Sequence, residues 1–227
     1  MDIDFLRSLD FGVAWRYAPA LLEGLWTNIQ LLVIGFLGGG VVVGTLLALA
    51  NLSRWRAVRW PALVFVEFWR STPLLVQAIW VHFAVPAFTG FATSPFQSAS
   101  IALVFNVAAY CSEIIRGGMQ GVGRGQVEAA KTLGLRPWPT LRLVVLPQAL
   151  KLMLPPLVGT TISVFKATTI LSILAINDLM RAASRISSYT FQPLEIYTAA
   201  AALACCVGLA ITLAGHSIEN RLKRGHA

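Results

Sequence analysis

Long apolar runs, separated by short polar segments, dominate the pattern along this chain. A helix that crosses the hydrocarbon core of a bilayer needs about 20 such residues. The runs are continuous and do not alternate between apolar and polar positions, which favours helices over the strands of a membrane barrel. The pattern therefore predicts an all-α integral membrane bundle, a single domain over 1–227 with five transmembrane helices at about 25–49, 62–85, 98–115, 149–165 and 196–218.

Glycine and proline residues occur at intervals within these apolar runs. Small residues about four apart in the first span predict close packing against another helix, namely Gly35, Gly39, Gly40 and Gly44. Pro155 and Pro156 predict a kink in the fourth span, because proline removes a helical hydrogen bond. The stretch "TTILSILAINDLM", residues 168–180, is apolar but too short to span, so we expect a re-entrant or interfacial piece.

Composition agrees with a membrane protein. Of the 227 residues, 56% are hydrophobic and 12% are charged, whereas soluble domains carry about 25% charged residues. The formal net charge is +8. No nucleic-acid-binding motif accompanies this charge, so we interpret the Lys and Arg residues as determinants of topology.

Positive residues collect in alternate connections between the predicted spans. They occur in the first connection, in residues 116–147 and in the C-terminal tail, and the other connections are balanced or acidic. Cytoplasmic loops carry the excess of Lys and Arg. The distribution predicts an extracytoplasmic N-terminus, a cytoplasmic loop over 116–147 and a cytoplasmic C-terminus.

The 116–147 loop is charged yet favours helix. Its stretch "GRGQVEAAKTL" is rich in good helix formers, and Gly134 is placed to end that helix in a left-handed conformation. A second short helix is predicted from Pro137 to Pro147, where proline would end it. We expect Lys131, Arg136 and Arg142 to face outward. We expect the apolar residues of the two short helices to attach this pair to the bundle, namely Leu133, Leu135, Trp138, Leu141, Val144 and Val145.

The same loop carries a recognisable motif. Glu128-Ala129-Ala130, Gly134, Val144 and Leu146-Pro147 resemble the EAA motif of permease subunits of bacterial ABC importers, which prefer Ile at the Val144 position. The stretches "FVEFWRSTPLLVQAIW" and "AAYCSEIIRGGMQGVGRGQ" resemble the polar amino acid uptake family, and "INDLMRAAS" is similar to its glutamate/aspartate subgroup. The resemblance implies the type I importer permease fold and a bacterial inner membrane location.

The resemblance also implies partners. The loop would be a pair of coupling helices that docks into a cytoplasmic ABC ATPase dimer, with these coupling residues: Glu128, Ala129, Ala130, Gly134, Arg136, Leu146 and Pro147. A periplasmic or extracellular substrate-binding protein and a second permease subunit, identical or related, would complete the importer. The chain itself would bind no cofactor, because ATP and magnesium are used by the partner ATPase, and transport would proceed by alternating access.

Polar residues inside the spans are candidates for the substrate path, because such residues are costly in a bilayer. They are Glu67, Arg70, Thr72, Gln77, Asn106, Tyr110, Lys166, Thr168 and Thr169. Some have a structural alternative. It is an ion pair at the membrane boundary for Glu67 and Arg70, a helix–helix hydrogen bond for Asn106 and Tyr110, and snorkelling for Lys166. Glu113 and Arg116, three apart near the cytoplasmic interface, are predicted to form a gate or a structural pair.

The expected cargo is a polar amino acid, with glutamate or aspartate suggested by the subgroup. The family commonly has an acid or amide after the Lys166 position, where this chain has Ala167. The change argues against a cationic cargo, which would need a counter-charge. An opine or another small zwitterion is the alternative cargo.

Other functional classes receive less support from the residues. His82, His216 and His226 are scattered and suggest neither a metal site nor a catalytic set. Cys111, Cys205 and Cys206 lie in apolar runs and are expected to be small packing residues. A secondary transporter would leave the charged loop unexplained, and no inverted repeat supports it. The chain is therefore predicted to be a transport subunit and not an enzyme.

Overall fold

The computed structural model describes residues 10–224, with side chains described through 221. The described chain is all-α, as predicted, and contains no strand. We label its helices α1 (Gly12–Arg16), α2 (Ala18–Asn51), α3 (Arg56–Ser71), α4 (Leu74–Thr89), α5 (Pro95–Gln120), α6 (Arg124–Thr132), α7 (Pro137–Leu174), α8 (Leu179–Thr190) and α9 (Pro193–Arg224).

Four of the described helices are long and apolar enough to cross a membrane, namely α2, α5, α7 and α9. The fifth crossing is a broken one. Helices α3 and α4 together pass the same test but are bent by 108° at their junction. The predicted second span, 62–85, is therefore not a single helix, because Pro73 forces the preceding Thr72 into an extended conformation with φ −101° and ψ 140°.

Hydrogen bonds from Gln77 hold this break together. Its Nε2 donates to the carbonyl of Trp69 at 2.7 Å and to that of Thr72 at 3.0 Å. Its Oε1 accepts a hydrogen bond from Asn106 Nδ2, on α5, at 3.0 Å. The hydroxyl of Thr72 donates to the carbonyl of Phe68. Carbonyls at the end of α3 thus find hydrogen-bond partners within the protein, as a helix end inside a membrane requires.

Glycines bring α2 close to α5, as the sequence predicted. The stretch Gly35–Gly44 is π-helical and buries its glycines against α5. A Cβ on Gly39 would lie 2.2 Å from the carbonyl oxygen of Val104, and one on Gly44 would lie 3.1 Å from that of Ala108. No other residue type fits at Gly39 without separating the helices. Helix α5 is thereby held at the centre of the core, where Leu103 and Val107 are fully buried.

A second buried polar node closes the opposite end of the bundle. Asn28 Nδ2 donates to Thr168 Oγ1 at 2.9 Å, and Asn28 Oδ1 accepts from the N–H of Leu179 at 3.0 Å. Asp178 begins α8 by accepting a hydrogen bond from the N–H of Arg181 at 2.8 Å. Burial raises the pKa of Asp178 to about 6, although the Arg181 N–H and the neighbouring Asn28 amide oppose the change. The segment 168–180 is thus a 3₁₀ turn followed by a connection in which buried and exposed residues alternate, and it ties α2, α7 and α8 together.

Two local expectations for the charged loop need correction. Pro147 does not end a short helix: the helix that begins at Pro137 continues as α7 to Leu174. Its first turns, Thr140–Val145, are π-helical, and this wider winding leaves room for the proline ring. The apolar residues do not all attach the loop to the bundle either, because Leu133 is 80% exposed and Trp138 is 68% exposed.

We expect Gly39→Ala to destabilise the bundle by roughly 1–3 kcal/mol, as overpacked cores do. The thermal unfolding midpoint of the detergent-purified protein, followed by tryptophan fluorescence, measures this. Gly208→Ala is the matched control, because a Cβ at Gly208 would meet nothing within 4 Å. An unchanged midpoint in Gly39→Ala would contradict the close approach of α2 and α5.

We expect Gln77→Leu to lower the same midpoint, since each buried polar group left without a partner costs about 1–3 kcal/mol. The Thr72 carbonyl would lose its Gln77 donor, and the Trp69 carbonyl and Asn106 Nδ2 would keep only their mutual hydrogen bond of 3.4 Å. Gln30→Leu makes the identical change at an exposed position of α2 and should be neutral. Equal midpoints for the two variants would show that Gln77 does not stabilise the break.

Candidate functional site

A cavity of about 760 Å³, lined by both polar and apolar residues, lies beside the break between α3 and α4. Helices α5 and α7 form its other walls. Its volume is within the range of about 300–1,000 Å³ typical of small-molecule sites. The lining residues are Arg70, Ser71, Thr72, Pro73, Leu74, Asn106, Tyr110, Pro156, Gly159, Thr160, Ser163, Val164 and Ala167.

Arg70 is the cation of this cavity wall. Its Nη1 is 3.5 Å from Glu67 Oε1 and 4.0 Å from Glu113 Oε2, and its Cζ is 5.8 Å from the centre of the Tyr110 ring. Both oxygen distances exceed the roughly 2.7–2.9 Å of a strong charge-assisted hydrogen bond. Glu113 is instead held by Arg116 at 2.9 and 2.7 Å. Most donors of the Arg70 guanidinium are therefore available to an anion in the cavity.

Hydrogen-bond acceptors face Arg70 across the cavity. The hydroxyls of Thr160 and Ser163 donate to carbonyls of their own helix at 2.9 and 3.0 Å, which leaves their oxygens free to accept. Asn106 uses its Nδ2 for Gln77, and no hydrogen bond to its Oδ1 occurs among the described residues. A cation or ammonium group would find partners on this side. The cavity is therefore suited to a solute that carries a carboxylate and an ammonium group.

The structure brings only some of the predicted path residues to this cavity. Arg70, Thr72, Asn106 and Tyr110 line it. Gln77 is buried behind the wall and serves the break. Glu67 is 64% exposed at its side chain and borders a separate cavity of about 220 Å³, together with residues such as Asn51 and Arg59.

The predicted candidates on the fourth span lie elsewhere. Lys166 and Thr169 line a different cavity, of about 430 Å³, between α7 and α9. Thr168 is fully buried and accepts the hydrogen bond from Asn28. The reason is helical periodicity, because the face of α7 that meets α5 carries residues 156, 160, 163 and 167.

Sequence reasoning missed the residues on that face, notably Gly159, Thr160 and Ser163. A signal existed: small or hydroxyl-bearing residues recur at spacings of three and four within an apolar span, as on one face of a helix. The pattern identifies a helix face that is smaller and more polar than the rest of the apolar span. It does not say whether a cavity, another helix or lipid covers that face.

A second candidate surface lies at the end of the bundle where α6 connects to α7. Gly134 ends α6 with φ 75°, as predicted. The N–H of Leu135 donates to the Ala130 carbonyl at 3.1 Å, and the N–H of Gly134 donates to the Lys131 carbonyl at 2.9 Å. These bonds form a Schellman motif. The turn therefore has one defined backbone conformation.

This surface, which we call the coupling surface, comprises α6, the Gly134 turn and the start of α7. Ala130 is buried, while Glu128, Ala129, Gly134 and Arg136 are exposed. A Cβ at Gly134 would meet nothing within 4 Å.

Leu146 and Pro147 lie in α7, next to the small core of Val122, Ala149 and Met153 that attaches the loop to the bundle. Exposed Leu133 and Trp138 beside basic residues suit a protein partner.

Within residues 10–221, no group of three His, Cys, Asp or Glu side chains could hold a metal ion. The described residues thus combine a cavity beside the broken span with an exposed surface at one end of the bundle.

The comparisons with known proteins agree with this arrangement. Residues 40–224 match the family described as "Binding-protein-dependent transport system inner membrane component". The chain is 35% identical, over 94% of its length and 98% of the relative's, to the glutamine transport system permease protein GlnP of Escherichia coli (strain K12). It is 39% identical, over 99% and 98%, to the L-cystine transport system permease protein TcyB of Bacillus subtilis (strain 168).

A solved structure described as an amino acid ABC transporter with histidines is 33% identical and has a TM-score of 0.88. The match covers 94% of this chain and 99% of that one. The type I importer permease fold expected from the EAA motif is confirmed. This chain belongs to the family of inner membrane components of binding-protein-dependent transport systems and, within it, to the permease subunits of amino acid ABC importers.

Proposed function

We propose that this chain forms the membrane pathway of an ATP-driven importer that moves polar amino acids into the cytoplasm. The main observation that supports this proposal is the cavity of about 760 Å³ with Arg70 on its wall. Two copies, or one copy and a related permease, would assemble with an ATPase dimer at the coupling surface. A substrate-binding protein would dock at the opposite end and deliver the amino acid. The chain would bind no cofactor, and the ATPase would use ATP and magnesium.

The proposed orientation puts the coupling surface in the cytoplasm of a bacterial cell and the N-terminus outside its inner membrane. The support is the charge distribution. Arg54, Arg56 and Arg59 follow α2 at the same end of the bundle as α6, and positive residues favour the cytoplasmic side. The exposed tryptophans Trp55 and Trp60 accompany them, as is common at a membrane interface.

The proposed cargo is a zwitterionic amino acid with a neutral polar side chain. Arg70 would bind the α-carboxylate, and the acceptors on α7 and Asn106 would take the ammonium group. No second cation lines the cavity among the described residues, so a second carboxylate on the cargo would lack a partner. Glutamate and aspartate are therefore the alternative cargo, together with an opine or another small zwitterion.

The proposed mechanism is alternating access, driven through α7. This helix begins in the coupling surface at Pro137 and lines the cavity from Pro156 to Ala167. ATP-driven closure of the ATPase dimer would displace the first turns of α7, and a continuous helix would carry that displacement to the cavity wall. The rigid Gly134 turn would keep α6 and α7 moving together.

The first test is purification of the tagged chain in mild detergent, with mass spectrometry of the subunits recovered. Recovery of an ABC ATPase, and ATP-dependent uptake of radiolabelled L-glutamine, L-glutamate or L-cystine by the reconstituted complex, would support the proposal. A complex shown to be intact without an ATPase would contradict it.

We expect Gly134→Asp to weaken ATPase binding by about tenfold or more, because an L-residue at positive φ costs roughly 1–2 kcal/mol and adds bulk to the docking surface. The measurement is titration of the purified ATPase against the permease in nanodiscs. Gly90→Asp is the matched control, since Gly90 also has positive φ (73°) and open space around it but lies at the other end. Equal affinities for both variants would contradict docking at Gly134.

We expect Arg70→Gln to raise the KM of uptake by roughly 10- to 100-fold, because a hydrogen bond to a charged group contributes about 1.5–3 kcal/mol. Uptake by the reconstituted importer measures this, with the basal ATPase rate as a check on integrity. Lys166→Met should stay near wild type because Lys166 lies outside the cavity. A raised KM in Lys166→Met with none in Arg70→Gln would reverse the assignment.

A further inference from the structure

A second cavity, of about 420 Å³, continues the groove between α5 and α7 toward the coupling surface. Pro156 lines both this cavity and the larger one. On α5, residues 106 and 110 face the larger cavity, and residues 113, 117 and 121 face the smaller one. These spacings of three and four place all five on one face of the helix. The two cavities are therefore successive parts of one groove.

Opposite charges meet where the cavities join. Arg70 lies on the wall of the larger cavity, and Glu113 lies on the wall of the smaller one. Their nearest atoms, Nη1 and Oε2, are 4.0 Å apart. Arg116 fixes the Glu113 carboxylate from the side with two hydrogen bonds. A zwitterion at this point would find a donor for its carboxylate and an acceptor for its ammonium group.

Glycines shape the smaller cavity in two different ways. A Cβ on Gly118 would lie 2.3 Å from Met153 Cγ, and one on Gly121 would lie 3.0 Å from Leu152 Cδ1. These glycines allow α5 and α7 to pack closely. Gly117 is different, because a Cβ there would meet nothing within 4 Å. The missing side chain at Gly117 thus leaves the cavity open and is not required by packing.

We propose that the smaller cavity is the exit vestibule, through which the amino acid leaves the Arg70 cavity past Glu113 toward the coupling surface. Glu113 would contact the ammonium group of the departing zwitterion and is a specificity-determining residue of the exit. Arg116 is a positioning residue that acts through Glu113. This inference rests on the proposed function, which supplies the cargo and the direction of transport.

The test compares three glycine-to-leucine variants of the intact importer, reconstituted with its ATPase and binding protein. Gly117→Leu fills the proposed vestibule, Gly159→Leu fills the Arg70 cavity, and Gly208→Leu fills the unrelated cavity beside α9. A Cβ meets nothing within 4 Å at each of these glycines. ATP-dependent uptake of radiolabelled L-glutamine, L-glutamate and L-cystine is measured, together with recovery of the ATPase.

We expect Gly117→Leu and Gly159→Leu to lower the uptake rate by about tenfold or more, equivalent to a barrier raised by about 1.4 kcal/mol. Gly208→Leu should remain close to wild type. Uptake unchanged in Gly117→Leu but lost in Gly159→Leu would overturn the vestibule and leave the proposed function intact. Uptake unchanged in Gly159→Leu would instead contradict the Arg70 cavity itself.

Thiol labelling gives an answer that does not depend on uptake. Gly117→Cys is made in a chain whose exposed Cys205 and Cys206 are replaced by alanine, since Cys111 is buried. The anionic, membrane-impermeant sulfonatoethyl methanethiosulfonate is added from the coupling-surface side. We expect the new thiol at position 117 to react, and one placed by Gly208→Cys to remain unmodified. An unreactive thiol at 117 would overturn the inference, because the vestibule would not reach water.

Discussion

The hydrogen bonds that Gln77 makes at the break between α3 and α4 are the interaction on which the functional architecture depends. A helix that stops inside a membrane leaves carbonyl groups without partners, and such groups are costly in an apolar surrounding. Gln77 supplies donors to Trp69 and Thr72, and Asn106 connects this assembly to α5. With these groups satisfied, the chain can bend by 108° and present Arg70 and Thr72 to the cavity.

Helix α5 joins this break to the rest of the bundle, because one of its faces packs against α2 and another lines the groove shared with α7. One face meets the glycines of α2 so closely that the carbonyl of Val104 occupies the space of a missing Cβ at Gly39. Another face carries Asn106, Tyr110 and Glu113 along the groove shared with α7. The close packing on the α2 side fixes the helix. On the groove side, Gln77 holds Asn106 and Arg116 holds Glu113 through hydrogen bonds.

Helix α7 connects the groove to the coupling surface in a single continuous element. The sequence interpretation ended a short helix at Pro147, whereas the structure carries the helix through that proline behind a π-helical turn. Continuity matters for the proposed mechanism, because a continuous helix would carry a displacement of its first turns toward the cavity. The exposure of Leu133 and Trp138 agrees with the proposed docking of a partner, since residues that do not attach the loop to the bundle are available for contact.

The amino-acid sequence was sufficient to predict features that depend on local chemistry. These are four of the five spans, the close-packing glycines of α2, the left-handed turn at Gly134 and the family to which the EAA motif belongs. It could not determine the role of each polar residue in a span, since Gln77, Thr168 and Lys166 all read as candidates for the path. The packing of the helices was needed to show that Gln77 satisfies backbone carbonyls, that Thr168 pairs with Asn28, and that Thr160 and Ser163 line the cavity. The physical reason is that a polar side chain on a membrane helix needs a partner, and which partner it finds depends on the helix that packs against its face.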